Sequence, residues 1–241
     1  MKSYVSKAEM EELGEGLIKH YAGSSKEPLR CVDIEGFITE YLGLTIEYVS
    51  LAESDKDKIG FVSDGRYPLK VFQDGAVIER VFPVNTIVLD RLLLRAYESG
   101  RRRFTMAHEA AHIIFERINP EPVACFHRIY DTEQTYDVAE LAKRFNFEET
   151  QASAMAAVLL MPQFLVEQAL RVFNGGRRLP IYGSGVLHPR EKVIIQKMAD
   201  SMGVSFTALV IRLRGFGMLN YHPLEEYMEK EIRQGGIRRA D

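Results

Sequence analysis

An apolar stretch that contains two histidines and a glutamate constrains this 241-residue chain more than any other feature. Between Phe104 and Phe115 most residues are alanine, isoleucine or another apolar type, interrupted by His108, Glu109 and His112. Such a composition predicts a helix that is apolar on nearly every side and is therefore buried. Polar side chains on a buried helix need partners. The plain alternative is that the histidines bond backbone carbonyl groups in the core.

The spacing of these three residues predicts a hydrolytic metal site. His108 and His112 are four residues apart, so their imidazoles emerge one turn apart on one face of a helix. Two nitrogen donors at this spacing can share one tetrahedral Zn²⁺. Glu109 is rotated by about 100° from His108, which places it beside the metal rather than on it. It is the predicted catalytic base, taking a proton from a metal-bound water and returning it to the leaving amine.

Two histidines and a water leave such a site one protein ligand short. Glu149 is the expected third ligand, because small residues share its face of the following helix and allow that helix to pack closely on the first. Glu148 points about 100° away and is the alternative, although an interaction with the helix N-terminus also explains it. Zn²⁺ is the expected cofactor, and two histidines with one carboxylate also accept Mn²⁺.

The pattern along the chain predicts an α+β fold. Residues 28–90 alternate between helical and strand periodicity and predict a small mixed or antiparallel sheet with helices. Residues 91–174 predict a helical zinc-peptidase core, and 188–216 a C-terminal helical pair similar to a helix-turn-helix. We expect one metallopeptidase domain over 1–220, followed by a polar tail at 221–241 that begins as a marginal helix.

The element boundaries follow from periodicity and from capping residues. The predicted helices are Lys7–Tyr21, Cys31–Leu42, Arg101–Arg117, Val138–Phe145, Glu148–Leu160, Gln163–Phe173, Pro189–Met202 and Ser205–Arg214. The predicted strands are Leu44–Leu51, Ile59–Ser63, Val71–Phe72, Ala76–Phe82 and Thr86–Leu89, with a hairpin turn at Asp74-Gly75 and a loop over Leu179–Leu187.

Charge and composition limit the partners. The net charge of −3 offers no global basic field to nucleic acid or anionic lipid, although residues 171–241 alone carry +5. No apolar run approaches the roughly 18 residues that span a bilayer, so we expect no membrane association. A polar N-terminus and only two cysteines, Cys31 and Cys125, favour the cytoplasm and free thiols.

The C-terminal helical pair keeps a DNA-binding alternative open. Gly203 lies in its turn, and Ser205 is placed to cap the second helix. That helix is largely apolar and leaves few polar side chains to read bases, so direct DNA binding is not expected. A donor for the reaction's oxyanion cannot be chosen from the sequence, because several loop residues qualify. They are His127, Tyr130, Tyr136, Tyr182 and His188.

Several motifs occur together in order. A strand at Thr86–Leu89 precedes Arg103-Phe104-Thr105, the His108–His112 motif, Glu149-Thr150-Gln151-Ala152-Ser153 and Leu159-Leu160-Met161-Pro162. In these motifs the chain resembles the ImmA/IrrE family of zinc-dependent metallo-endopeptidases over residues 30–215. By that resemblance His108, His112 and Glu149 are metal ligands and Glu109 is the base. It also implies a protein substrate, typically a helix-turn-helix repressor of a mobile element or stress regulon.

The chain departs from the family pattern at a few positions. Ser153 replaces the usual asparagine or aspartate, Met155 the usual phenylalanine, and Ala110-Ala111 a commoner Leu-Gly. The rival interpretation is a non-catalytic regulatory protein that contains a metal and binds a repressor or DNA. Structural zinc sites are usually closed by four protein ligands. Three predicted ligands and a retained Glu109 therefore favour the enzyme.

Overall fold

The computed structural model describes residues 5–23, 29–53, 58–118 and 138–234. The chain is of the predicted α+β class and divides into two compact units, Met1–Pro162 and Gln163–Asp241. The single domain over 1–220 stays a prediction. Within the described ranges, no single helix is long and apolar enough to cross a membrane.

The helices of the first unit are α1 (Lys7–Ala22), α2 (Ile34–Gly36, continued by a π-helical turn over Phe37–Tyr41), α3 (Ser99–Ile118) and α4 (Val138–Leu160). Helix α1 begins at a capping box, in which Ser6 Oγ accepts from Glu9 N–H and Glu9 Oε2 accepts from Ser6 N–H. Helix α2 begins three residues later than predicted, because the Asp33 carboxylate caps it by accepting from Gly36 N–H.

The strands of the first unit are β1 (Thr45–Val49), β2 (Gly60–Ser63), β3 (Leu69–Gln73), β4 (Ala76–Arg80) and β5 (Thr86–Asp90). They form a mixed sheet in the order β1-β5-β2, with β1 parallel and β2 antiparallel to the central β5. Strands β3 and β4 form the predicted hairpin, whose turn residues Asp74 and Gly75 both have positive φ.

The mixed sheet has a helix on one face and the hairpin on the other. On the helix face, the Tyr48 hydroxyl lies 3.9 Å from Met106 Sδ of α3. On the opposite face Val49 and Val88 form a buried cluster with hairpin residues, and Phe61 packs against it. The end of β5 leads into α3 through two short 3₁₀ turns. There the Asp90 carboxylate accepts from the N–H groups of Leu51 and Leu92.

Small residues let the three long helices of this unit approach closely. Ala107, Ala110 and Ala111 of α3 are fully buried, as are Ala152 and Ala156 of α4. A different side of α4, at Met155 and Val158, packs against α1 at Gly14. The predicted break between Val138–Phe145 and Glu148–Leu160 is wrong. Helix α4 is continuous, because neither proline nor glycine interrupts it.

The second unit contains α5 (Gln163–Asn174), β6 (Leu179–Tyr182), α6 (Pro189–Met202), α7 (Phe206–Gly215), β7 (Leu219–His222) and α8 (Leu224–Gln234). The loop predicted over Leu179–Leu187 is partly wrong, since β6 pairs in parallel with β7. Helices α6 and α7 cross at 101°, with Gly203 in the left-handed region and Ser205 capping α7. A helix-turn-helix role for this pair stays a prediction.

The close contact between α1 and α4 predicts an asymmetry between two glycines of α1. A methyl group at Gly14 would lie 2.6 Å from Val158 Cγ1, and a β-branched side chain in a helix cannot rotate away. Gly14→Ala should therefore destabilise the protein by about 1–2 kcal/mol despite the better helix propensity of alanine. Gly16 has nothing within 4 Å, so Gly16→Ala should stabilise by up to about 1 kcal/mol. Urea unfolding of both variants measures the difference, and equal effects would contradict it.

Candidate metal centre

Helices α3 and α4 bring the three predicted ligands together. The distance from His108 Nε2 to Glu149 Oε2 is 3.0 Å, and that from His112 Nε2 to Glu149 Oε1 is 3.5 Å. The two Nε2 atoms are 3.1 Å apart, with the rings at 79° to each other. Among the described residues, this is the one group of three or more histidine, cysteine or acidic residues whose ligand atoms lie within 4.8 Å of one another.

These separations fit a metal ion. Ligands of a tetrahedral zinc with bonds of 2.0–2.1 Å lie about 3.3 Å from one another, and the three measured distances scatter around that value. The donor set of two imidazoles and one carboxylate matches that of catalytic zinc sites. His112 and Glu149 are half-buried, with side-chain exposures of 31% and 40%, so the cluster also has access to solvent.

Ser153 lies behind the first histidine. Its Oγ is 3.3 Å from His108 Nδ1, one turn along α4 from Glu149. When Nδ1–H donates to this hydroxyl, Nε2 keeps its lone pair for a metal. The residue that departs from the family pattern thus still contacts the site, through a shorter side chain than asparagine or aspartate.

The charges at the cluster suit a cation. Partial burial would raise the pKa of Glu149, but hydrogen bonds and charge from His108 and His112 outweigh burial and lower that pKa well below its usual range. Glu149 is therefore ionised at neutral pH. For His112, burial alone would lower the pKa, but the hydrogen bond to Glu149 and the nearby carboxylates raise it.

Glu109 lies on the buried side of α3, with 8% of its surface exposed. Burial raises the pKa of its carboxyl group, and the charges of His112 and His108 oppose that rise. A carboxylate with a raised pKa is a stronger proton acceptor near neutral pH. Its position one residue after His108 places it beside the cluster, as the helix period predicts.

The sequence predicts strand β2, as Ile59–Ser63, but not its contact with Glu109. Gly60 of β2 approaches α3 so closely that a methyl group there would lie 2.8 Å from Glu109 Oε1. A glycine within a strand pattern is the only signal that the sequence offers for such a close approach.

The predicted oxyanion donors fall outside the described residues or within the second unit. His127, Tyr130 and Tyr136 lie outside the described residues, as does Cys125. Tyr182 and His188 belong to the second unit, where their rings pack with centroids 4.8 Å apart. Cys31 Sγ lies 3.1 Å from Arg103 Nη2.

The contact of Ser153 with His108 predicts a measurable role. Ser153→Ala should weaken zinc binding by about 10- to 100-fold, because His108 loses the group that fixes its tautomer and orientation. Competition with a chromophoric chelator measures the affinity. Thr150 is exposed on the same helix, and Thr150→Ala is the matched control. An unchanged affinity in Ser153→Ala would show that the hydroxyl does not orient the histidine.

Comparison with known families agrees with this geometry. No curated protein matches the sequence. Residues 39–214, which are most of the chain, match the model of a peptidase family described as the IrrE N-terminal-like domain. The peptidase family implies a metallopeptidase, and the paired histidines and glutamate of α3 and α4 offer it a candidate metal site. By this match and its extent, the chain belongs to the ImmA/IrrE family.

Proposed function

We propose that this chain is a cytoplasmic zinc-dependent endopeptidase that hydrolyses peptide bonds within a protein substrate. The observation that carries the proposal is the convergence of His108, His112 and Glu149, with the buried Glu109 on the part of α3 that carries both histidines. A purely structural metal site has no use for that additional buried carboxylate. The matched peptidase family supports the same reaction class.

The residues of the site have two roles, binding the metal and transferring a proton. The metal, Zn²⁺ or Mn²⁺, would be held by His108, His112 and Glu149. As a Lewis acid it would polarise the peptide carbonyl and lower the pKa of water. Glu109 accepts a proton from the water that attacks the carbonyl carbon. It then delivers that proton to the amide nitrogen as the C–N bond breaks, leaving one carboxylate product and one amine product.

An edge strand near Glu109 suits a peptide substrate. Because Asp90 N–H donates to the Ile59 carbonyl, the alternation of the antiparallel ladder directs the backbone groups of Gly60 and Val62 away from β5. No strand in the described part of the chain pairs with that outer edge. An extended peptide can add to such an edge through main-chain hydrogen bonds, which recognise a backbone more than particular side chains.

The proposed substrate is a helix-turn-helix repressor, as the family resemblance implies. The test is to mix the purified, zinc-loaded chain with a repressor encoded next to it and to follow cleavage by mass spectrometry. We expect one or a few defined cuts, which a chelator abolishes and added zinc restores. A repressor that stays intact, or cleavage that the chelator does not affect, would refute the proposal. Reconstitution with Mn²⁺ in a parallel sample identifies the better metal.

Helix α7 offers few exposed basic side chains for the DNA-binding alternative. Of its two C-terminal arginines, Arg212 is buried, and its guanidinium lies 4.3 Å above the ring of Phe216. Only Arg214 is exposed. A salt-dependent DNA complex that is lost in Arg214→Ala would favour this alternative over a role in packing or in binding the protein substrate.

A further inference from the structure

We infer that Gly60 is a positioning residue for the proposed base: the missing side chain on β2 provides the space that the Glu109 carboxylate occupies. The inference rests on the proposed function, because it takes Glu109 as the proton acceptor. It concerns a strand residue that is far from the motif in sequence and contributes no polar atom of its own.

The contact distances define this space. A Cβ atom at position 60 would lie 2.8 Å from Glu109 Oε1 and 3.2 Å from Glu109 Cδ. It would also lie 2.6 Å from Thr105 Cγ2, one turn earlier on α3. Carbon atoms do not approach this closely without displacement. Gly60 is not among the glycines with positive φ, so the position requires glycine for space and not for its backbone conformation.

Of the groups around that space, the Glu109 carboxylate moves most easily. Thr105 is buried and β-branched, and its Oγ1 donates to the Arg101 carbonyl at 3.0 Å, which fixes its rotamer. Gly60 itself lies opposite Leu89 in the ladder with the buried strand β5. Glu109 instead has three side-chain torsions. An added methyl group would therefore displace the carboxylate of Glu109 and compress the contact with Thr105.

The metal ligands are not part of this contact. None of His108, His112 and Glu149 is among the atoms nearest to a Cβ at position 60. A substitution at Gly60 should therefore separate the position of the base from the binding of the metal. That separation distinguishes a positioning role from general damage to the site.

The experiment compares the zinc-loaded wild type with Gly60→Ala, the double variant Gly60→Ala/Thr105→Ser, Glu109→Gln and Gly100→Ala. Gly100 also lies on α3 but has nothing within 4 Å of its Cβ position, so its variant is the matched control for an added methyl group. The probe is a quenched-fluorescence peptide selected from a mixture for cleavage by the wild type. For each protein, zinc content, Tm, kcat and KM are measured.

For Gly60→Ala we expect wild-type zinc content, a KM near that of the wild type and a kcat lower by about 10- to 100-fold, because a misplaced catalytic group loses rate rather than binding. Gly60→Ala should also lower the Tm, because its methyl group compresses the contact with Thr105. The double variant removes the Thr105 methyl group and keeps its hydroxyl. It should recover that Tm but not the kcat, since the clash with Glu109 remains. Gly100→Ala should keep the wild-type zinc content, kcat and KM.

A wild-type kcat in Gly60→Ala overturns the inference and leaves the proposed function intact. Recovery of kcat together with Tm in the double variant also overturns it, because packing against Thr105 would then explain the loss. If the wild type cleaves no peptide, or if Glu109→Gln keeps its activity, the proposed function fails and the inference fails with it.

Discussion

Glu109→Gln should lower kcat by about 10²- to 10⁴-fold while zinc content stays at the wild-type level. Glutamine has the shape of glutamate but cannot accept a proton at neutral pH. The residue is buried and is not one of the three clustered ligands, so the substitution removes proton transfer and spares the metal site. Steady-state kinetics on a cleaved peptide and metal analysis on the same preparation measure both effects.

Helix α3 supplies the control for this experiment. Glu116 is exposed two turns further along the same helix, and Glu116→Gln makes the same chemical change away from the site. It should leave kcat, KM and zinc content unchanged. Comparable activity in Glu109→Gln and the wild type would remove Glu109 from the mechanism. A variant that loses zinc along with its activity would instead assign Glu109 a role in binding the metal.

Removing a ligand should abolish the metal site itself. Protein purified without added metal should contain about one zinc per chain, and His112→Ala and Glu149→Ala should each contain almost none. A ligand that binds only the folded state stabilises it, by about 2.7 kcal/mol at a hundredfold excess over Kd. Added zinc should therefore raise the Tm of the metal-free wild type and have little effect on the two variants. Mass spectrometry for metals and thermal unfolding provide the measurements.

Two further variants serve as controls, one for the loss of a carboxylate and one for the loss of an imidazole. Glu148→Ala removes the carboxylate next to Glu149, and His20→Ala removes an exposed histidine from α1. Both should retain the wild-type zinc content. Zinc retained in Glu149→Ala but lost in Glu148→Ala would exchange the roles of the two carboxylates. Wild-type protein that takes up no zinc would favour a non-catalytic interaction protein.

The part of the site on α3 follows directly from local periodicity. His108, Glu109 and His112 lie within two turns of one helix, so their relative positions depend only on the helix period. The position of Glu149 depends in addition on the packing of α4 against α3, which their alanine-rich faces indicate. Gly60 lay beyond sequence reasoning, because its contact with Glu109 depends on how a sheet is placed on a helix 49 residues away in sequence.

The errors in the fold have a similar cause. Strands β6 and β7 pair residues about 40 positions apart, and β6 is only four residues long, with Pro180 inside it. Neither alternation nor propensity marks so short a strand, because its formation depends on a distant partner. The predicted break in α4 is wrong for a local reason, because residues 138–160 contain neither proline nor glycine and the helix continues through them.

The metal ligands on α3 and the base Glu109 lie next to strands that differ in burial and in backbone pairing. Strand β5 is buried throughout and bonded on both edges, and it leads into the helix that carries both histidines. Strand β2, which borders Glu109, pairs on one edge only within the described part of the chain, and it is half-buried over most of its length. Local opening requires less free energy at such an edge than at the centre of a sheet. On warming, amide exchange should therefore accelerate at β2 first, and the protein should lose its turnover while it still holds its metal.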